Sequence, residues 1–154
     1  FGPSERSLNG QGIVFCPARI DRWASWPRDL FAGRGARIIE ASAAQHDEIM
    51  SLVQALTHLS TMLTGLALAG SAYPRETLET FATPRFMERL EAVDRVFGEN
   101  PRLYAEIVAA NPGTAHIIAS LEKNLEILKD FIVRGDAAGI ADLLRNKHKE
   151  YFLQ

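Results

Sequence analysis

The chain has 154 residues, of which 47% are hydrophobic and 23% charged, with a net charge of −2 and a single cysteine. This balance suits a soluble globular domain with a real core. It excludes a basic nucleic-acid surface, an intrachain disulfide and a cysteine-built metal site, so neither nucleic acid nor a metal is expected as a partner.

Residues 1–11 are punctuated by Gly, Pro and Ser and read as a loop. The opening Phe1-Gly2-Pro3-Ser4 has the character of mid-chain sequence, so the polypeptide is expected to be a fragment. No basic segment precedes an apolar run near the start, and with one cysteine a cytoplasmic location is expected. Residues 12–16 (Gly-Ile-Val-Phe-Cys), closed by Pro17, look like a buried strand, and residues 36–40 like a second. Between them Asp21 can cap a short helix carrying Trp23 and Trp26. Strand, helix and strand of this length fit a crossover unit. Two strands alone make no stable sheet, so partner strands outside this chain are expected. A bare pair packed on the helices is the alternative.

Residues 43–70 form the longest stretch without proline and carry no charge after Glu48. On a wheel of about 100° per residue, His46, Asp47, Ser51, Gln54, Thr57, His58, Thr61 and Thr64 share one arc, and Ile49, Leu52, Val53, Leu56, Leu59, Leu63, Leu66 and Ala67 the other. A wet face normally carries Lys and Glu, so this polar arc is expected to be covered, as the wall of a site or a subunit interface. The plainer reading is a central bundle helix whose polar arc is satisfied by neighbouring helices. The stretch is long enough to span a bilayer, but its Ser, Thr, Gln and His residues and the lack of a basic flank argue against a membrane.

After Tyr73-Pro74 a short helix runs to Phe81, and Thr83 caps a helix that starts with Pro84 and stops at Gly98. Phe86, Leu90, Val93 and Phe97 form its apolar stripe. Asn100-Pro101 opens another helix, broken at Asn111-Pro112-Gly113. Residues 114–133 form a long amphipathic helix with Ile117, Leu121, Leu125, Leu128 and Ile132 inward. Gly135 ends it and Asp136 caps a last helix carrying Ile140, Leu143 and Leu144.

Catalytic motifs are missing: there is no glycine-rich phosphate or dinucleotide loop, no Cys/His cluster and no Gly-x-Ser-x-Gly. His46 and His58 lie too far apart on one helix to share a metal. Read locally, Arg95 points away from its helix's apolar stripe and forms a solvated pair with Glu91 one turn before it.

Seven pieces in order carry a resemblance: Phe1-Gly2-Pro3, Gly35-Ala36-Arg37, Gln45-His46-Asp47, Gln54-Ala55-Leu56-Thr57-His58, Asp94-Arg95-Val96-Phe97, the run from Asn100-Pro101 through Tyr104 to Ile107, and Gly135-Asp136. Their order and spacing resemble the C-terminal half of bacterial prephenate dehydrogenases. The resemblance implies a mainly α fold: an all-helical dimerisation and substrate-side domain over 43–154, preceded over 1–42 by the end of a Rossmann-type nucleotide-binding domain. It implies a homodimer, NAD or NADP as cofactor, and oxidative decarboxylation of prephenate or arogenate, with tyrosine as an inhibitor. The family's catalytic His falls three residues before Phe1, so no catalytic residue is expected in this chain, which alone is expected to be inactive.

By the same resemblance Arg95 matches the arginine for the ring carboxylate, His58 a position tied to the substrate pocket and to tyrosine inhibition, Tyr104 a nearby aromatic and Gln54 a pocket-lining position. A guanidinium fork suits a carboxylate because it binds bidentately and stays charged. Gln45 departs from the family's usual Glu. The alternatives are a relative acting on an amino-substituted prephenate, and a helical dimerisation or tyrosine-sensing module without chemistry.

Overall fold

The computed structural model describes residues 6–18, 23 and 25–152. Asp21 and the Phe1-Gly2-Pro3 motif lie outside the described residues. The chain forms two compact units, Phe1–Gly113 and Thr114–Gln154.

In the first unit β1 (Gly12–Phe15) and β2 (Arg37–Glu40) pair in parallel, with Gly12 opposite Arg37 and Phe15 opposite Glu40. The helix α1 (Ser25–Ala32) lies between them in sequence, as a crossover requires. Arg28 of α1 holds Glu40 at 2.8 Å and sits 5.2 Å from the Phe15 ring centre. Gly35 turns the chain into β2 with φ of +79°, and its carbonyl accepts the Gly10 amide at 2.8 Å.

Residues 43–69 form one helical run in three parts: α2 (Ala43–Met50), a π-helical turn (Ser51–Ala55) and α3 (Leu56–Ala69). Ser42 caps its start, its hydroxyl accepting the Gln45 amide at 3.1 Å. A π turn closes its hydrogen bonds five residues back, here Leu56 N–H to the Ser51 carbonyl. Around this turn two carbonyls take side-chain donors: Ser51 Oγ donates to the Glu48 carbonyl at 2.7 Å, and Asn111 Nδ2 to that of Asp47 at 3.0 Å.

This geometry corrects the wheel. A single 100° rotation per residue does not run through a π turn, so the two arcs do not stay on two faces. The buried positions are small ones, Ser51, Ala55, Thr61 and Gly65, while Leu52, Val53, Leu63 and Leu66 each leave more than half their surface exposed. Gln54 and Thr57, expected under cover, are exposed too. Nor is the polar arc satisfied by neighbouring helices. Thr57, Ser60, Thr61 and Thr64 donate to the carbonyls of Val53, Leu56, Thr57 and Ser60, four residues back, at 2.7–3.0 Å. Because their hydroxyls are already bonded, such residues can face another helix without an unpaired donor. By length and composition alone, the Ala43–Ala69 helix could cross a membrane.

The helix α4 (Arg75–Thr80) precedes α5 (Pro84–Asp94), which is capped by Thr83 with proline at its first position and runs into a second π turn (Arg95–Glu99). This end of α5 packs against α3 through Gly65. A Cβ at position 65 would fall 2.5 Å from Phe97 Cε2 and 3.0 Å from Val93 Cγ1. Then α6 (Pro101–Ala110) starts under the Asn100 cap, whose Oδ1 accepts the Leu103 amide at 3.1 Å.

The second unit is a hairpin of α7 (Thr114–Val133) and α8 (Ala137–Phe152). Gly135, with φ of +66°, makes the turn, and Asp136 Oδ1 accepts the Gly139 amide at 2.8 Å. Ile117 is buried and Leu121 and Leu128 half-buried, but Leu125 and Ile132, expected inward, are exposed, as is Leu144. Two helices enclose only a narrow seam, so side chains at its margin have nothing in the hairpin to pack against.

Two substitutions separate shape from polarity on the α3 face. Gly65→Val places atoms where Phe97 stands, and its melting temperature is expected to fall by several degrees, since overpacking costs about 1–3 kcal/mol. Thr61→Val keeps the volume and strands no partner, because the Thr57 carbonyl also lies within the helical ladder, and is expected to melt close to the parent. Thermal unfolding followed by circular dichroism measures both.

Candidate functional site

The first π turn places Gln54 on an exposed surface four residues before His58, which stands half-buried in the first turn of α3. From α6, Tyr104 meets it. The two rings lie 4.8 Å apart, centre to centre, with their planes tilted by 60°. This is an ordinary edge-on aromatic arrangement. The register of Tyr104 follows from the Asn100 cap and Pro101, which start α6 three residues earlier. Burial holds the His58 imidazole below its ordinary pKa of 6.5. At neutral pH it is therefore uncharged, with one ring nitrogen a donor and the other an acceptor.

Arg95 opens the second π turn and is exposed. The side-chain pair with Glu91 expected from local spacing is not formed, although the Arg95 amide still donates to the Glu91 carbonyl as in a regular α-helical turn. Among the described residues no hydrogen bond or ion pair engages the Arg95 side chain. Its backbone is nevertheless fixed: Val96 is buried, and Phe97 packs on Gly65. Beside it an apolar cavity of about 240 Å³ is lined by Met62, Leu66, Val96, Phe97 and Pro101.

The structure thus joins His58 to Tyr104, keeps Gln54 one turn away on the same helical run, and leaves Arg95 exposed and without contact to the other three. A neutral imidazole, a phenol, an amide and an unengaged guanidinium are groups for holding a polar anionic molecule. They contain no activated nucleophile paired with a base. Among the described residues no group of three or more His, Cys, Asp or Glu gathers as metal ligands would. Nor do those residues fit a dinucleotide cradle. β1 leads into Cys16-Pro17-Ala18, without the glycines that let a backbone approach a pyrophosphate. Two residues that sequence reasoning missed also shape this region. Asn111 ties the end of α6 to Asp47 in α2, one turn before the first π turn, and Arg75 reaches Asp94 beside Arg95. Partners 64 and 19 residues apart leave no periodic signal.

The fold is that of a mainly helical module preceded by a parallel strand–helix–strand edge. The model of the prephenate dehydrogenase dimerization domain matches residues 42–146. The chain belongs to that family. It is 33% identical over 154 residues to a T-protein of Enterobacter agglomerans, covering 99% of this chain and 38% of the relative. A probable arogenate/prephenate dehydrogenase of Methanocaldococcus jannaschii is 26% identical, with 98% of this chain and 34% of the relative covered. A 4-amino-4-deoxyprephenate dehydrogenase of Streptomyces pristinaespiralis is 35% identical over 115 residues, 75% of this chain and 39% of the relative. The chain therefore spans between a third and two fifths of the length of these relatives.

The His58 environment has a measurable signature. Between its lowered native pKa and 6.5 the unfolded chain binds the extra proton, so stability is intact above pH 6.5 and falls as pH drops through this window. Proton NMR of the His58 ring is expected to titrate below 6.5, and Tyr104→Ala, which opens the site to water, to move it back toward that value. A titration unchanged by Tyr104→Ala would detach the shift from this contact.

Proposed function

We propose that this chain is the C-terminal dimerisation and substrate-side part of an NAD(P)-dependent prephenate dehydrogenase of the cytoplasm. Residues 1–42 belong to the end of its nucleotide-binding domain and 43–154 to the helical domain. In the intact enzyme the C4 hydroxyl of prephenate, or of arogenate, is oxidised by hydride transfer and the ring aromatises with loss of carbon dioxide. Bound NAD or NADP supplies the hydride acceptor, and this chain's contribution is to bind and orient. Arg95 takes the ring carboxylate in its fork. His58, neutral at working pH, offers a hydrogen bond without a second positive charge, and Tyr104 and Gln54 border the same pocket. Tyrosine, which shares the product's ring, competes there.

The observation that carries this reading is the family match over the helical part, together with two motif residues 46 positions apart, His58 and Tyr104, meeting as a ring pair. The 4-amino-4-deoxyprephenate relative keeps an amino-substituted substrate as the second reading. The homodimer reading draws on the same family and on the outward apolar row of Leu52, Val53, Leu63 and Leu66. A second copy is the occupant that removes such a row from water.

Three measurements test the proposal. In the full-length parent, Arg95→Ala is expected to raise KM for prephenate about tenfold or more, with little recovery in Arg95→Lys, because an ammonium keeps the charge but loses the fork. An unchanged KM in both returns Arg95 to the solvent. The purified 154-residue chain is expected not to reduce NAD or NADP with prephenate; turnover would overturn its assignment as the non-catalytic part. Light scattering is expected to give a dimer mass, and Leu63→Glu with Leu66→Glu a monomer that keeps its helical spectrum.

A further inference from the structure

Outside the site just described, one contact in the helical part of the first unit stands apart. Arg75, the first residue of α4, holds both carboxylate oxygens of Asp94, Nη1 to Oδ1 at 2.6 Å and Nη2 to Oδ2 at 2.8 Å, while its Nε donates to Glu79 at 2.7 Å. Among the described residues, the other ion pairs from α2 onward join residues at most four apart in sequence. Among these ion pairs of the described residues, Arg75–Asp94 is the one that joins two separate helices.

Three features make this clasp more than surface decoration. Asp94 is the last residue of α5 before the second π turn, so a contact to its side chain acts where the helix changes its winding. The hydrogen bonds from Arg75 hold its carboxyl below the ordinary range, so the pair is ionised at neutral pH. Both side chains are about half exposed, so the pair adds little to stability, yet its two-pronged geometry fixes direction. Beneath it lies a cavity of about 360 Å³ whose walls include Leu78, Leu90, Val93 and Phe97. Across that hollow α4 and α5 are joined by the clasp where apolar packing is incomplete.

The next residue is Arg95. Its backbone is held on one side by Asp94 in the Arg75 fork and on the other by Val96 in the core and Phe97 on Gly65. We propose that Arg75 is a positioning residue: through Asp94 it sets where the π turn begins and so where the Arg95 guanidinium is presented to a substrate carboxylate. This rests on the reading of Arg95 given above. A side chain on a widened turn is presented accurately only if the turn's start is fixed, and a small misplacement of a binding group forfeits part of what it contributes.

The test uses the full-length enzyme with prephenate. Arg75→Ala and Asp94→Asn are each expected to raise KM about fivefold to tenfold, with kcat and melting temperature close to the parent. Combined with Arg95→Ala neither should add further loss. The exchanged pair Arg75→Asp with Asp94→Arg is expected to recover a good part of the KM, which an arginine touching substrate directly would not do. If Arg95→Ala raises KM while Arg75→Ala and Asp94→Asn leave it unchanged, the positioning role is overturned and the Arg95 reading stands. If Arg95→Ala leaves KM unchanged, the Arg95 reading itself falls and takes the positioning role with it. A drop confined to melting temperature, or a swap that recovers nothing, also overturns the proposal.

Discussion

The missing side chain at Gly65 sets the distance between α3 and the end of α5. With ring carbons of Phe97 where a Cβ would stand, the two elements approach as closely as backbone and ring allow. The rest of the helical run follows the same rule. Its inward positions are Ser51, Ala55, Thr61 and Gly65, all small, and its bulk faces outward. Close approach inside and bulk outside are two results of one choice. A helix that packs its small residues against its own chain has its large ones free for another surface.

The two π turns carry candidate site residues on that frame. The first contains Gln54 and leads into the turn of His58, and the second begins at Arg95. Beside the first, the Ser51 hydroxyl and the Asn111 amide donate to the Glu48 and Asp47 carbonyls. Such turns persist only where the surroundings hold them, and they are frequent where a side chain must be aimed in a direction that a regular helix does not offer. In this chain every residue matched by resemblance to the substrate pocket, apart from Tyr104, lies in a π turn or within one turn of it.

What was legible in the sequence was local. The caps at Thr83, Asn100 and Asp136 and the proline starts of α5 and α6 stand where their chemistry places them, because a cap needs only its own next three residues. The parallel strand pair followed from the crossover length for the same reason. The inside of the 43–69 run was not legible. A wheel assumes uniform rotation and assumes that hydroxyls seek partners elsewhere, and neither holds here. His58, Tyr104, Gln54 and Arg95 were singled out by motif order, since no periodicity distinguishes them. Local spacing gave Arg95 a Glu91 side-chain partner, and that pair is not formed. The contacts of Arg75 and Asn111 join distant segments and were invisible for that reason.

The hydroxyl row on α3 bears on how this family drifts. With Thr57, Ser60, Thr61 and Thr64 donating to their own helix, the face offers its neighbours a relief of volumes and no free hydroxyl donors. What descendants must keep along it is therefore size, and residue identity is free to wander among side chains of similar bulk. Along such a face, ancestry is better preserved in contour than in spelling.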